Sequence, residues 1–490
     1  MLTCMSTLAF HSWLRVISIA VCLLAIPGCG CNSQSNQPPV STRPAVDPAS
    51  LPMKYRDHNV VLISFDALQA GHVGCLGYDR DVTPNLDAFA GESFVFQHNY
   101  SVASWTVPSS MTWFTGVYPS EHGLTNKFAV YSAAEKSPAR LAELSPNMVT
   151  LAQVLKQHGY HTGGFTGNAG VSGDFGFSQG FDTYYHETQK FGSFDQSIPE
   201  ALEWLKDRQP GKFFLFLHGY DCHGQFSPVG GYDFRFVDRQ YDGKFRGTQQ
   251  EQELLREEGL EKSRLELRDA DVRFWRAIYD EKIQRADEKF GRFLHEFKKL
   301  GLLEKTLFII TSDHGSEFYE HGRFDHGFSL YDEQLRVPLL IKLPGQQAGK
   351  PISDRVSSIS LMPTILDLLD IPLDDSLQQQ LRGTSLVATL QAQHVPRDVF
   401  AETNYRDYTY KRSIITPDGW KLIVTLESNE RELFQLDQDP AEMSNLVKEE
   451  ATRVEELQRR LYDHFKSLGH DLTAVRWQPG LNPVYDSQGR

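Results

Sequence analysis

The sequence predicts an α/β fold: a doubly wound, mainly parallel sheet with a small antiparallel α+β subdomain at its C-terminal end. Three observations predict it. Continuous apolar and β-branched runs recur along the chain, as in strands buried on both faces. Segments of helical spacing lie between them, as in βαβ units. After residue 350 the runs become shorter and alternate.

Taken in order, residues 59–65 (Asn-Val-Val-Leu-Ile-Ser-Phe) form the first such run, and it ends in Asp66. Residues 148–157 have helical spacing and stop at Gly159, before a short strand at 162–166. A second strong strand at 212–217 runs into His218, Asp221 and His223. Residues 249–300 read as a highly charged helical stretch, with Ile283, Ala286, Phe290, Phe293, Phe297 and Leu300 on one face and Gly301 as its stop. A third strand at 305–311 leads to Asp313 and His314, and a fourth follows at 337–343. Beyond it come a helix at 357–369, a loop at 382–386, strands at 413–415, 420–425 and 432–436, and a charged helix near 448–467.

Composition narrows the function. The 490 residues are 40% hydrophobic and 23% charged, a globular balance. The net charge of −14 gives no basic footprint for a phosphate backbone, so nucleic acid is not an expected partner. A small anionic substrate would need a local positive centre, which a bound metal could supply.

At the N-terminus, Arg15 precedes an apolar run at 16–26 that is too short to span a bilayer but suits a signal-peptide core. Ile26-Pro27-Gly28-Cys29 resembles the lipobox of bacterial lipoproteins, with Pro27 as its departure. Signal cleavage without lipidation is the alternative. The expectations are a signal peptide at 1–28, a Ser/Gln/Asn/Pro-rich linker at 29–56, a catalytic α/β domain at 57–350, its C-terminal part with the small subdomain at 351–470, and a tail at 471–490. Export to a periplasmic or outer-surface location follows, with membrane attachment through a lipidated Cys29 as one form of it. The cysteines imply no disulfide framework.

In open α/β sheets, ligands bind beyond the carboxyl ends of the strands. Three separate strands here deliver Asp or His to that end: Asp66, then His218, Asp221 and His223, then Asp313 and His314. One such Asp is ordinarily a turn or cap, and one such His a core residue. Three together suit a divalent cation, zinc or manganese more than calcium, given the imidazoles. In residues 104–116, Pro108 and Gly116 bracket a helix and set Thr106 at its N-terminus, where free amides favour an anion. Local sequence alone makes Thr106 a plain cap. A neighbouring metal could instead lower its pKa enough to attack an ester.

Asp66, the block Thr106-Val-Pro-Ser-Ser to Glu121-His-Gly123, Ser312-Asp-His-Gly315 and Leu330-Tyr-Asp-Glu-Gln-Leu-Arg-Val-Pro338 together resemble the sulfatase family of the alkaline phosphatase superfamily. Thr83-Pro-Asn-Leu-Asp87, Gln179-Gly-Phe-Asp182 and Glu432-Leu-Phe-Gln-Leu-Asp-Gln-Asp-Pro440 extend the likeness over about residues 57–467. The resemblance implies an ester hydrolase with metal ligands at Asp66, Asp313 and His314, joined by the Thr106 oxygen. Several departures accompany it. Thr106 replaces the Cys or Ser that sulfatases convert to formylglycine, so no formylglycine is expected. Ser110 stands for an arginine, Ala67 for a second aspartate and His326 for a lysine, and Asn168 stands where a Lys-Trp-His segment is usual.

A threonine nucleophile is similar to the phosphodiesterase and phosphotransferase branches of the superfamily, which often hold two zinc-like ions. Asp221, His223 and His326 have the chemistry for a second ion; hydrogen bonding to substrate, or proton donation by His326 or His223, is the alternative. Ser110, Asn168 and Arg323 are candidate substrate contacts. The resulting expectation is hydrolysis of sulfuric or phosphoric esters through Thr106, on a small anionic substrate such as a sulfated or phosphorylated glycan. Phosphodiester or phosphonate monoester hydrolysis, phosphoryl transfer and non-catalytic binding are the other readings.

Overall fold

The computed structural model describes residues 47–130, 140–188, 191–262 and 264–473. The segment expected to be a signal peptide, Cys29, most of the expected linker and most of the expected tail lie outside the described residues. Among those described, no helix is long and apolar enough to cross a membrane.

Eight strands form the central sheet: β1 (Asn59–Phe65), β2 (Phe94–Tyr100), β3 (His161–Thr166), β4 (Thr183–His186), β5 (Phe213–Gly219), β6 (Thr306–Thr311), β7 (Leu339–Lys342) and β8 (Lys350–Ser357). Their order is β8-β2-β7-β6-β1-β5-β3-β4. β4, β3, β5, β1 and β6 run parallel, while β7 is antiparallel to both β6 and β2. The expected mainly parallel sheet is therefore present, with one reversed strand. β7 comes back antiparallel beside β6 after residues 312–338, which carry the small ribbon Glu317–Phe318 with Phe324–Asp325.

The continuous apolar runs behave as two-sided burial demands. In β1, Val60 and Leu62 enter one core, and Val61, Ile63 and Phe65 the other. β6 divides in the same way, with Leu307 and Ile309 opposite Phe308 and Ile310. On the first face lie helices Thr106–Thr115, Leu151–Gln157 and Leu361–Leu368, through Met111, Leu155 and Ile365. On the second lie Phe194–Asp207 and the long Asp269–Lys299 helix, through Ala201, Phe290 and Phe297. Burying a Phe or Leu side chain is worth about 1.5–3 kcal/mol, so these layers dominate the fold's stability.

The charged helical stretch at 249–300 is two helices, Gln249–Lys262 and Asp269–Lys299. The break falls where Leu265 leaves helical geometry, donates its amide to the Gly322 carbonyl at 2.7 Å and buries its side chain. The C-terminal subdomain is a four-stranded antiparallel sheet: β9 (Val399–Thr403), β10 (Lys411–Ile415), β11 (Trp420–Thr425) and β12 (Glu430–Gln435). One face packs Ile415, Ile423 and Phe434 on Tyr100 and Leu335 of the main body. The other packs Leu422 and Leu433 on Leu457, Leu461 and Phe465 of helix Ala451–Ser467.

Candidate active site

Strand register assembles the centre of the site. β1 lies between β5 and β6, with Ser64 level with both His218 and Thr311. Asp66 and Asp313 each sit two residues beyond that level, so their carboxylates emerge side by side, with His218 next to them. Suitable ligand atoms of Asp66, His218 and Asp313 all lie within 4.8 Å of one another, and all three residues are fully buried.

Thr106 starts its helix after Trp105, whose extended backbone (φ −156°) turns the chain in. Its hydroxyl lies 3.1 Å from Asp66 Oδ2 and 3.3 Å from His314 Nε2. His314 Nδ1 is 2.8 Å from the Gly315 carbonyl, so Nδ1 carries the proton and Nε2 presents a lone pair. That lone pair lies 3.4 Å from Asp313 Oδ2, and His218 Nε2 lies 3.5 Å from Asp66 Oδ2. Burial holds His314 and His218 near 4, so both imidazoles are neutral at ordinary pH. Burial and the adjacent Asp313 push the Asp66 carboxyl well above its usual range. For Asp313, burial pushes upward, but His314 and His218 outweigh it and hold the group low.

These donors fit a cation. Asp66 Oδ1, Asp313 Oδ2 and both ring nitrogens of His218 are buried with no hydrogen-bond partner among the described residues. Unsatisfied buried acceptors are costly, about 1–3 kcal/mol each and more when charged. The imidazoles are already in the neutral state a divalent ion requires, and an ion beside Asp66 would hold its carboxyl ionised. Ala67, where the resemblance places a second aspartate, brings no oxygen; its amide donates to Asp313 Oδ1 at 3.1 Å.

A wall of the site comes from the turn after β3. Asn168 has a left-handed backbone (φ 67°), and its carbonyl accepts from the Tyr220 hydroxyl at 3.1 Å. The Tyr220 hydroxyl oxygen in turn accepts from the Gly170 amide at 2.8 Å. Gly170 lies so close to Thr106 that a Cβ there would come within 2.8 Å of its side chain. Ser110, one turn into the Thr106 helix, is fully buried with its hydroxyl unpartnered among the described residues.

His223 and His326 complete the cluster. His223 Nε2 is 3.8 Å from Asp66 Oδ1, and its ring centre is 5.0 Å from that of His326. His326 in turn has its ring centre 4.2 Å from that of His314. The guanidinium of Arg323 lies over the Phe328 ring, 5.3 Å from its centre.

Asp221 is a correction. Its Oδ1 lies 2.6 Å from Lys289 Nζ, and its Oδ2 accepts the Phe194 amide at 2.8 Å at the start of the Phe194–Asp207 helix. Both oxygens are committed away from the metal cluster, so it is a structural cap. His218 takes its place beside Asp66. The sequence marks His218 as one strand-end candidate among three, and only the β1–β5 register singles it out. Tyr220, Gln225 and Asp325 carry no signal in the sequence that separates them from loop residues.

A family model described as Sulfatase matches residues 58–371. The chain belongs to the sulfatase family. A second model, N-sulphoglucosamine sulphohydrolase, C-terminal, matches residues 319–471. This sulfatase-family chain is 24% identical over 451 residues to an arylsulfatase of Clostridium perfringens, covering 80% of itself and 90% of that protein. Its fold matches a structure solved in complex with its substrate D-glucosamine-2-N,6-O-disulfate, at TM-score 0.63 and 21% identity, over 84% and 98% of the two chains. It also matches the phosphonate monoester hydrolase of Agrobacterium radiobacter, at TM-score 0.62 and 19% identity, over 85% and 95%. The protein is thus an ester hydrolase of the sulfatase type, and sulfatase-family enzymes use a divalent metal.

Proposed function

We propose that this sulfatase-family protein hydrolyses sulfuric or phosphoric esters with Thr106 itself as the nucleophile. The observation that carries the proposal is the pair of acceptors at the Thr106 hydroxyl, Asp66 Oδ2 at 3.1 Å and His314 Nε2 at 3.3 Å. Asp66, His218 and Asp313 would hold the divalent ion, with His314 and the Thr106 oxygen beside them, and zinc or manganese suits this donor set better than calcium. Such an ion supplies charge neutralisation for an anionic ester and acidifies a nearby hydroxyl.

The chain's own residues account for the remaining work. Asp66 or His314 takes the Thr106 proton as its oxygen bonds to sulfur or phosphorus. His326 or His223 protonates the departing oxygen. Water then cleaves the Thr106 ester. The helix N-terminus beneath Thr106 favours the transferring anion, and Ser110, whose buried hydroxyl has no partner among the described residues, and Asn168 are the substrate contacts in this reading. A sulfated or phosphorylated glycan fits the small anionic substrate this requires, in line with the aminosugar sulfate bound by one structural relative.

A specific observation also favours phosphorus chemistry: threonine at the formylglycine position, together with a phosphonate monoester hydrolase among the similar folds. The test is a parallel assay of the metal-loaded protein on 4-nitrophenyl sulfate, 4-nitrophenyl phosphate, bis-4-nitrophenyl phosphate and a phosphonate monoester. Turnover of at least one ester that disappears in Thr106→Ala supports the proposal. Turnover that survives Thr106→Ala removes it. We also propose that the enzyme works after export, anchored through Cys29 or released.

A further inference from the structure

Nothing in the Thr106 account uses Asp325, yet the fold spends backbone strain to place it. It ends a two-stranded ribbon, Glu317–Phe318 with Phe324–Asp325, at a left-handed φ of 86°. A non-glycine residue holds such a conformation only where its surroundings enforce it, often at a functional site. Here they do. Its side chain is buried, Oδ2 accepts from Gln225 Nε2, and Oδ1 lies against Nδ1 of His326. Gly224 closes in behind, where a Cβ would stand 3.0 Å from Oδ1. Burial pushes the carboxyl upward, but His326 and the Arg256 guanidinium outweigh it, and Asp325 stays ionised.

We propose that Asp325 is a positioning residue: it fixes His326 with Nδ1 turned to its carboxylate, so that Nε2 delivers the proton to the departing ester oxygen. This deepens the Thr106 proposal and rests on it. A histidine with one ring nitrogen against a carboxylate has its orientation and tautomer set. His223 lacks that support, because its Nδ1 accepts from the Gln225 amide at 3.1 Å.

The steps balance. As Thr106 Oγ1 bonds to sulfur or phosphorus, the bond to the leaving oxygen breaks, and that oxygen takes the proton from His326 Nε2. The Thr106 proton rests meanwhile on Asp66 or His314. Water then attacks the Thr106 ester and gives a proton to Nε2, and Oγ1 leaves and recovers its own.

The test compares Asp325→Asn, His326→Gln, the double variant and Thr106→Ala in the full, metal-loaded protein. Each is assayed on aryl esters graded from 4-nitrophenol to phenol as leaving group. A lost proton donor matters little for 4-nitrophenolate and much for phenolate. Asp325→Asn is expected to lower kcat about 100-fold on the phenyl ester and only a few-fold on the 4-nitrophenyl ester, with KM unchanged. The double variant should be no worse than His326→Gln alone. If Asp325→Asn does not fold, Gln225→Leu should show the same leaving-group pattern more weakly. A uniform loss across leaving groups, a change confined to KM, or loss of bound metal in Asp325→Asn would overturn the proposal. Activity surviving in Thr106→Ala would remove the nucleophile alone, since the leaving-group series still judges Asp325.

Discussion

The hydroxyl of Thr106 lies 3.1 Å from Asp66 Oδ2, although the two residues are 40 positions apart in the chain. One starts a helix and the other ends the central strand, so the contact exists only in the folded sheet. Thr106→Ser keeps the oxygen and is expected to retain activity within about tenfold. Thr106→Ala should lose at least about 1000-fold in kcat, with its melting temperature little changed.

The two buried carboxylates, Asp66 and Asp313, are mutually unfavourable until a cation lies between them. Asp66→Asn is therefore expected to leave the metal-free protein as stable as wild type or more so. It should abolish the rise in melting temperature that added zinc or manganese gives the wild type, a gain of about 4 kcal/mol at a thousandfold excess over Kd. Calorimetry with and without metal measures both effects.

Acid should unfold the metal-free protein in a defined window. His218 and His314 are held near 4 by burial, below the 6.5 of a free imidazole. Between those values the unfolded chain binds protons that the folded chain refuses. Stability is fully present above about 6.5 and is lost as the pH falls toward 4. Melting temperatures across that range should fall steeply, and less steeply in His218→Asn.

Tyr220 ties the turn that covers Thr106, accepting from the Gly170 amide and donating to the Asn168 carbonyl. Tyr220→Phe leaves both groups without that partner and should cost about 1–3 kcal/mol. Gly170→Ala, which would drive a methyl into Thr106, should lower kcat while the protein stays folded. Urea titration and steady-state kinetics separate the two.

Asp221 supplies a negative control. Because its oxygens hold Lys289 and a helix start, Asp221→Asn should leave metal content unchanged and lower stability. Elemental analysis decides whether it is a cap or a ligand.

The parts legible in the sequence are those that one strand or helix states by itself. β1, β5 and β6 are apolar on both faces, and their runs announce it. Thr106, Asp313 and His314 stand at element ends, where residue type and position already carry chemistry. β2 and β8 are harder to read: Phe-Val-Phe gives way to Gln-His-Asn, and the edge strand Lys350–Ser357 mixes Lys, Asp and Arg into a half-exposed pattern. The choice between Asp221 and His218 depends on which neighbour each side chain meets, Lys289 or Asp66, and both neighbours are distant in sequence. Asp325 acquires its setting from Gln225 and Gly224, a hundred positions away, so no local pattern could mark it.

Rapid quench would trap the covalent step on Thr106. Metal-loaded protein is mixed with the ester it turns over fastest, stopped in acid within the first turnover, digested and mapped by mass. The expected result is a burst of released phenol and a peptide containing Thr106 that carries the transferred sulfuryl or phosphoryl group, both absent in Thr106→Ala. A group found on another residue, or full turnover in Thr106→Ala, would contradict it.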